Sequence, residues 1–218
     1  MRIGILGGTG PAGAALAARL AAIGEEVVVG SRARERAEET CAAILAAWPD
    51  RPLKIEAGVN DEAAGADLVV VATPWEAAAV TAGGLADRLA GKVVVSMANA
   101  VVRVGTEFQP LLPGRGSIAA TVQSAVPDAA VVAAFHHLPA RAVAALDDPI
   151  DADVLLCADD GPARETVAAL VARVPGLRPL DAGSLANAGV VEAMTAVLLQ
   201  LNVRYKGRAA LRLTGIEA

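Results

Sequence analysis

The stretch GILGGTGPAG, residues 4–13, lies close to the N-terminus and decides the fold. It joins an apolar run over residues 2–6, typical of a β-strand, to an amphipathic segment over 11–23, typical of an α-helix. Between them, residues 8–13 match the pattern G-x-G-x-x-G. In this context the glycines permit a tight turn, close approach of a phosphate, and close packing of helix on strand. The stretch therefore predicts a dinucleotide-binding loop, with a plain strand–helix turn as the alternative.

Beyond this loop, apolar runs alternate with amphipathic segments along the chain. The Val-rich runs show no polar alternation, which favours strands covered on both faces, as in a parallel sheet. Strands that alternate with helices of this length indicate right-handed βαβ crossovers. We therefore predict an α/β fold with a doubly wound, mostly parallel sheet of the Rossmann type. The further predicted strands are 26–29, 53–57, 67–72, 92–96, 130–134, 153–157 and a short one within 176–183, and the further predicted helices are 33–48, 75–89, 117–125, 162–174 and 184–204.

The last part of the chain is predicted to form a helical C-terminal extension, residues 184–218, of a single domain that spans residues 1–218. Apolar side chains surround most of its long helix, which indicates a helix buried against the sheet edge or against another subunit. We therefore expect a homodimer or a higher homo-oligomer. The apolar residues concerned are Val190, Val191, Met194, Val197, Leu198, Leu199 and Leu201.

Composition excludes several functional classes. The formal net charge of −5 argues against general binding of nucleic acid, which requires a basic surface. The two cysteines, Cys41 and Cys157, have no metal-ligand spacing, and we interpret them as buried thiols in a reducing cytosol. The N-terminus does not resemble a signal peptide, and no transmembrane helix is expected. These features predict a cytoplasmic protein with small-molecule partners and no metal site.

The end of the second predicted strand decides which dinucleotide the loop would hold. Sites that prefer NAD place a carboxylate there, on the ribose 2′-hydroxyl. This chain has Ser31 and Arg32 instead, with Arg34 and Arg36 in the following helical turn. A hydroxyl and guanidinium groups suit a 2′-phosphate, which arginine can bind through two hydrogen bonds. We therefore predict NADP from Ser31 and Arg32, whereas Arg34 is best explained as part of a solvated basic helix start that pairs with Glu35, Glu38 and Glu39.

The acceptor would lie beyond the carboxyl ends of the central strands. Three predicted strand ends should meet there, and they carry Thr73 and Pro74, Met97 to Asn99, and Phe135 to Ala140. His136 and His137 are the chain's two histidines, and each is equally well explained as a loop-orienting residue or as a catalytic acid. Few ionisable groups are present, whereas reduction of a ketone needs a general acid at the carbonyl oxygen. A flat pocket of small residues instead suits hydride transfer between two stacked redox cofactors.

Several motifs together resemble one known family over essentially the whole chain. They are MRIGILGGTGPAG, VVVGSR, ATPWE, FHHLPA, CADDGPARETV and GLRPLDAGSLANAGVVEAMT. In this combination the sequence is similar to the coenzyme F420-dependent NADP oxidoreductases. The resemblance implies a Rossmann NADP-binding fold and an NADPH:F420 oxidoreductase that passes a hydride directly between the nicotinamide and the deazaflavin.

The resemblance also implies positions for both cofactors. NADP(H) would lie along the glycine loop with its 2′-phosphate at the second strand, and the deazaflavin would stack on the nicotinamide near the later strand ends. His136 or water would supply the proton that reduction of the deazaflavin requires, so His136 is the one candidate catalytic residue. The predicted cofactor-binding residues are Gly8, Thr9, Gly10, Pro11, Ala12, Gly13, Ser31, Arg32, Arg36, Thr73, Pro74, Met97, Asn99, His136, Leu138, Pro139 and Ala140.

Three other functions remain open from the sequence. One is an NADP-dependent reductase of a small imine or keto acid, although such enzymes have a longer helical dimer domain. Another is a reductase of flavin or metal ions. The third is a non-catalytic NADP(H) sensor, which would not require an acceptor pocket.

Overall fold

The computed structural model describes residues 1–216, and its centre is one eight-stranded sheet. The strands are β1 (Arg2–Leu6), β2 (Glu26–Ser31), β3 (Ile55–Val59), β4 (Leu68–Val71), β5 (Val93–Ser96), β6 (Val101–Val104), β7 (Glu107–Pro110), β8 (Ala130–Ala133), β9 (Ala152–Ala158) and β10 (Leu177–Asp181). The helices are α1 (Pro11–Ala22), α2 (Arg34–Ala47), α3 (Asn60–Ala63), α4 (Trp75–Gly83), α5 (Ala86–Leu89), α6 (Ile118–Ala125), α7 (Ala140–Ala144), α8 (Gly161–Ala172) and α9 (Ala188–Tyr205).

The strand order is β10-β9-β8-β5-β4-β1-β2-β3. All neighbours in this sheet are parallel except β8 and β9, which pair antiparallel. The order reverses at β1, because β2 lies on one side of it and β4 on the other. The predicted doubly wound, mostly parallel sheet is therefore confirmed, and its crevice lies at the carboxyl end of β1.

Both faces of the sheet are covered by apolar side chains, as the non-alternating valine runs predict. Ile3, Ile5 and Val70 belong to the core on one face, while Val69 and Val71 belong to the core on the other. The small side chains allow very close packing between elements. A Cβ on Gly4, for example, would lie 1.9 Å from the carbonyl oxygen of Ala63.

The structure differs from the sequence prediction in its short elements. The helix predicted over 75–89 is divided into α4 and α5, because residues 84–85 do not continue it. Strands β6 and β7 were not predicted. They form a hairpin whose two-residue turn contains Gly105 at φ +60°, a conformation that glycine adopts without steric cost. Helices α3 and α7, of four and five residues, were also missed, because they are too short to show a helical period.

The prediction that residues 184–218 form a helical extension is wrong in extent. Residues 185–187 form a 3-10 turn, α9 ends at Tyr205, and Lys206 has the left-handed φ of +52°. Residues 206–216 are not helical, and residues 217–218 lie outside the described residues. The backbone of this segment instead bonds to β9, where Asp153 N–H donates to the carbonyl oxygen of Leu211 at 2.7 Å.

Candidate functional site

A cleft of about 610 Å³ lies beyond the carboxyl ends of β1, β2, β4 and β5. It occupies the place that a doubly wound sheet offers to a ligand. Eleven of the residues predicted to bind cofactors line it: Thr9, Gly10, Pro11, Ala12, Ser31, Arg32, Arg36, Thr73, Pro74, Met97 and Asn99. Ala98, within the predicted strand end Met97 to Asn99, also lines it. The remaining lining residues, which the sequence analysis did not assign to a cofactor, are Gly7, Asn60, Ala72, Trp75, Ala77 and Thr81.

The glycine loop forms the floor of the cleft at the start of α1. Gly8 and Gly13 do not line the cleft, and they shape the turn behind it. Gly8 N–H donates to the carbonyl oxygen of Gly30 at 2.9 Å, and a Cβ on Gly13 would lie 2.9 Å from the Cα of Gly8. A Cβ on Gly10, by contrast, would meet only one atom within 4 Å, at 3.9 Å. Gly10 therefore leaves the backbone open to a ligand, next to the free N–H groups of the first helical turn.

Asn60, at the end of β3, holds the glycine loop from the side. Its Oδ1 accepts a hydrogen bond of 3.1 Å from Gly7 N–H. Gly7 has a φ of +70°, and a Cβ there would lie 2.5 Å from Cγ2 of Thr73. The only sequence signal for Asn60 is a polar amide three residues beyond the predicted strand 53–57, and the sheet order is needed to bring it to Gly7.

Two of the three arginines after β2 have guanidinium groups without a carboxylate partner in the described part of the chain. Arg32 and Arg36 line the cleft, and neither pairs with a carboxylate within residues 1–216. Arg34 is engaged elsewhere, because it pairs with Glu62 and donates to the carbonyl oxygen of Ala57. Its predicted pairing with the glutamates of its own helix is therefore replaced by a partner on α3.

Ser31 is 5% exposed, and its Oγ accepts a hydrogen bond of 3.3 Å from Ala33 N–H. The Ser31 hydroxyl keeps its own proton to donate. This corner of the cleft thus combines one hydroxyl donor with the two free guanidinium groups of Arg32 and Arg36.

The predicted acceptor residues fall into two groups. Thr73, Pro74, Met97 and Asn99 line the cleft itself. Leu138 and Ala140 lie beyond Met97, around a cavity of about 10 Å³ that Met97 also lines. Neither His136 nor Pro139 is among the lining residues of the cleft or of this cavity.

The ends of β5 and β8 are joined by a polar contact to the last helix. Asn99 Nδ2 donates to the carbonyl oxygen of His136 at 2.7 Å, and Thr195 on α9 donates to Asn99 Oδ1 at 3.1 Å. Phe135, just before His136, has the left-handed φ of +61°, which is rare for an aromatic residue. The main chain of His136, and not its side chain, is therefore what joins the end of β8 to Asn99.

Both histidine side chains are buried. His136 is 5% exposed, and burial, together with the neighbouring His137, lowers its pKa to about 3. Burial also lowers the pKa of His137, whose Nε2–H donates to the carbonyl oxygen of Asp153 at 2.9 Å. The two imidazoles are therefore neutral at pH 7 and serve as packed polar groups.

This burial predicts a pH-dependent stability. A histidine whose pKa is about 3 when folded and about 6.5 when unfolded stabilises the fold fully above pH 6.5, and that contribution is lost as the pH falls. Between pH 7 and pH 5, we expect His136 to account for about 2 kcal/mol of lost unfolding free energy. Urea denaturation of the wild type and His136→Gln at both pH values measures this. Parallel losses in the two proteins would contradict it.

The cysteines are both buried, as predicted from the sequence. Burial raises the pKa of Cys41 and of Cys157 to about 11, so neither is a thiolate at neutral pH. Over residues 1–216, no three His, Cys, Asp or Glu side chains are grouped as metal ligands would be.

Comparison with known proteins relates this geometry to a family. The family model described as "NADP oxidoreductase coenzyme F420-dependent" matches residues 2–100, which include the glycine loop and the arginines after β2. The F420-dependent NADP reductase of Methanocaldococcus jannaschii is 35% identical, and the alignment covers 100% of both chains. The chain belongs to this family. The reductase of the same name from Methanothermobacter thermautotrophicus is 32% identical over 99% of this chain and 96% of its own length.

Two solved structures and one further relative are also similar to this chain. A solved structure from Arthrobacter sp. FB24, a candidate F420-dependent NADP reductase, superposes with a TM-score of 0.82 at 25% identity and covers 98% of this chain and 99% of its own. The metalloreductase STEAP3 of Rattus norvegicus is 35% identical over 91% of this chain but only 37% of its own length. An imine reductase from Streptomyces aurantiacus, with a TM-score of 0.60 at 18% identity, covers 94% of this chain and 62% of its own, and shares the fold alone.

Proposed function

We propose that this protein is an NADPH:F420 oxidoreductase, which transfers a hydride between NADP(H) and the deazaflavin coenzyme F420. The observation that carries the proposal is the full-length similarity to F420-dependent NADP reductases, together with a cleft that has free guanidinium groups at one end and no ionisable side chain at the other. When both cofactors are bound, the nicotinamide and the deazaflavin supply the hydride chemistry. The protein supplies their positions.

The residues of the cleft fit a dinucleotide phosphate. The open backbone at Gly10 and the N-terminus of α1 would hold the pyrophosphate. Ser31, Arg32 and Arg36 would hold the 2′-phosphate, since charge-assisted hydrogen bonds to a dianion are among the strong polar contacts. Thr73 Oγ1, on the predicted nicotinamide side, is buried and has no hydrogen-bond partner within residues 1–216. An amide or hydroxyl group of the ligand would satisfy it.

The acceptor would lie against Met97 and Asn99 on one side and the main chain of His136 to Ala140 on the other. This part of the site orients a flat ring and excludes water, since its side chains are small or apolar. We assign the proton that accompanies deazaflavin reduction to water in place of His136. A buried imidazole with a pKa near 3 is neutral at pH 7 and lacks the imidazolium proton that a general acid donates.

The proposed function is tested by mixing the purified protein with NADPH and oxidised F420 and following the visible absorbance of the deazaflavin. We expect rapid bleaching with NADPH and F420, and little with NADH or with FMN as the acceptor. Turnover of FMN but not F420 would favour a flavin reductase instead. Tight NADPH binding without turnover of either acceptor would favour an NADP(H) sensor.

We also propose that α9 forms a subunit interface in a cytoplasmic homo-oligomer. By length and composition, Leu185–Tyr205 could cross a membrane, since its mean hydropathy is 1.2. Its inner face is nevertheless tied to the domain, because Glu192 accepts hydrogen bonds from Ile118 N–H and Ala119 N–H at 2.8 and 3.0 Å. Its outer face exposes Val190 and Val197 by 71% and 59%, an apolar surface suited to a second copy. Sedimentation should give the mass of at least two chains, and a monomer would contradict the proposal.

A further inference from the structure

A buried guanidinium outside the cofactor cleft lies on α1, the helix that begins at the glycine loop. Arg19 is 2% exposed, and no carboxylate within residues 1–216 lies at ion-pair distance from it. Among the described residues, it donates only to main-chain oxygens. Nε reaches Val143 at 2.9 Å, Nη1 reaches Asp148 at 3.2 Å, and Nη2 reaches Ala142 and Ala145 at 3.1 and 2.5 Å.

These oxygens belong to the end of α7 and the turn after it. A helix leaves its last carbonyl groups without partners, and a cation there also interacts favourably with the helix dipole. The planar guanidinium can reach four oxygens at once because its donors point in fixed, divergent directions. Burial opposes the charge of Arg19 and lowers its pKa. The buried guanidinium therefore has a desolvation cost that an apolar side chain at this position would not have.

The other end of α7 is the predicted acceptor segment. Pro139 immediately precedes the helix, and its carbonyl oxygen accepts from Ala142 N–H at 2.8 Å and Val143 N–H at 3.1 Å. Leu138 and Ala140, which we place against the deazaflavin, are therefore part of the same short unit. Because α7 has only five residues, it has little stability of its own and depends on its contacts for position.

One face of α1 makes these contacts. Ala12, Leu16 and Arg19 are spaced by four and three residues, so they lie in line on the helix. Ala12 and Leu16 face the small cavity that Leu138 and Val143 also line, and Arg19 continues this face to the end of α7. Arg19 lies eight residues beyond Pro11, or about 12 Å along the axis from the start of the helix.

We infer that Arg19 is a positioning residue for the acceptor side. It fixes residues 138–145 to the helix whose N-terminus holds the pyrophosphate, and so sets the distance between the two halves of the site. Arg19 touches neither the cleft nor the glycine loop, so its loss should impair acceptor binding and leave dinucleotide binding intact. The kinetic part of this inference rests on the proposed function.

The kinetic test compares Arg19→Met and Arg19→Lys with the wild type. For Arg19→Met, we expect the KM for F420 to rise at least 10-fold while the Kd for NADPH stays within twofold. Arg19→Lys keeps the charge but not the planar set of donors, so it should give an intermediate KM. Simple loss of folded protein would lower kcat and leave both the KM for F420 and the Kd for NADPH unchanged. Equal weakening of F420 and NADPH would overturn the inference.

A second test needs no turnover. Hydrogen exchange followed by mass spectrometry should show amides 140–145 exchanging at least 10-fold faster in Arg19→Met, with residues 2–13 unchanged. If Arg19→Met does not fold, exchange over residues 140–145 and over residues 2–13 is measured in Arg19→Lys instead. Unchanged exchange over 140–145, or equal acceleration in both segments, would overturn the inference. If the wild type cannot reduce F420, the proposed function is refuted. The exchange measurement then still decides, without any kinetic data, whether Arg19 holds residues 140–145.

Arg51 provides the matched control. It also donates to the segment after α7, at Leu146 O and Asp147 Oδ1, but its side chain is 36% exposed. It does not contact α7 through a hydrogen bond. Arg51→Met should leave the KM for F420 within twofold and exchange over 140–145 unchanged, and an effect as large as that of Arg19→Met would overturn the assignment to Arg19.

Discussion

Replacing Arg32 with alanine should raise the Kd for NADPH by about 10- to 150-fold and leave the weaker binding of NADH nearly unchanged. The reason is the loss of a charge-assisted contact to the 2′-phosphate, which contributes about 1.5–3 kcal/mol. Arg32 lines the cleft and has no carboxylate partner within residues 1–216, so its guanidinium is available to the ligand. Calorimetric titration with both dinucleotides measures the difference.

Arg34→Ala is the matched control for this experiment. It removes the same charge two residues away, but from a guanidinium already engaged by Glu62 and Ala57. NADPH binding should change less than threefold in this variant. If Arg32→Ala weakened the binding of NADPH and of NADH equally, the 2′-phosphate assignment would be contradicted. If Arg32→Ala and Arg34→Ala weakened NADPH binding equally, the effect would come from the overall positive charge after β2 and not from a specific contact.

Replacing Asp153 with alanine should lower the unfolding free energy by about 3–5 kcal/mol. Asp153 is fully buried and accepts hydrogen bonds from Arg178 Nε and Nη2, at 2.8 and 2.9 Å, and from Arg212 Nη1 at 3.2 Å. Leu213 N–H also donates to it at 2.6 Å. Its removal leaves Arg178, which is only 16% exposed, beside an empty space and releases the segment after α9 from the sheet.

Asp151→Ala removes the same charge two residues earlier and serves as the control. Its carboxylate is 87% exposed and pairs with Arg212 Nε at 3.5 Å, so the loss should stay below about 1 kcal/mol. Urea unfolding of the two variants and the wild type provides the comparison. Similar midpoints for Asp153→Ala and Asp151→Ala would show that the buried cluster adds nothing to stability.

Much of the fold could be predicted because the deciding signals are local. The Val-rich runs without alternation identify strands covered on both faces, and the glycine spacing after β1 identifies the turn into α1. The short hairpin β6–β7 was missed although its turn contains Gly105, because each strand has only four residues. The C-terminal segment beyond Tyr205 was misjudged because its structure comes from hydrogen bonds to Asp153 and Arg178, which are distant in sequence.

The candidate site likewise has a part that local sequence signals indicate and a part that depends on distant contacts. Most residues predicted to bind the dinucleotide line the cleft, because they lie at the ends of β1, β2 and β4 or in the loop or first helical turn that follows, where position in the sequence fixes position beside the sheet. On the predicted acceptor side, His136 is buried with its main chain, not its ring, joined to Asn99. Side-chain direction there depends on the left-handed backbone at Phe135, which no pattern in the sequence indicates.

The sequence by itself determined the sheet type, the glycine loop and the basic end of β2, since these depend on residues within one strand–turn–helix unit. Only the tertiary structure decided that Asn60 holds Gly7, that Thr195 supports Asn99 and that Arg19 holds the end of α7. These partners are 53, 96 and 124 residues apart. They meet because the strand order and the packing of α1 and α9 set which distant backbone groups share a buried space and must be hydrogen-bonded there.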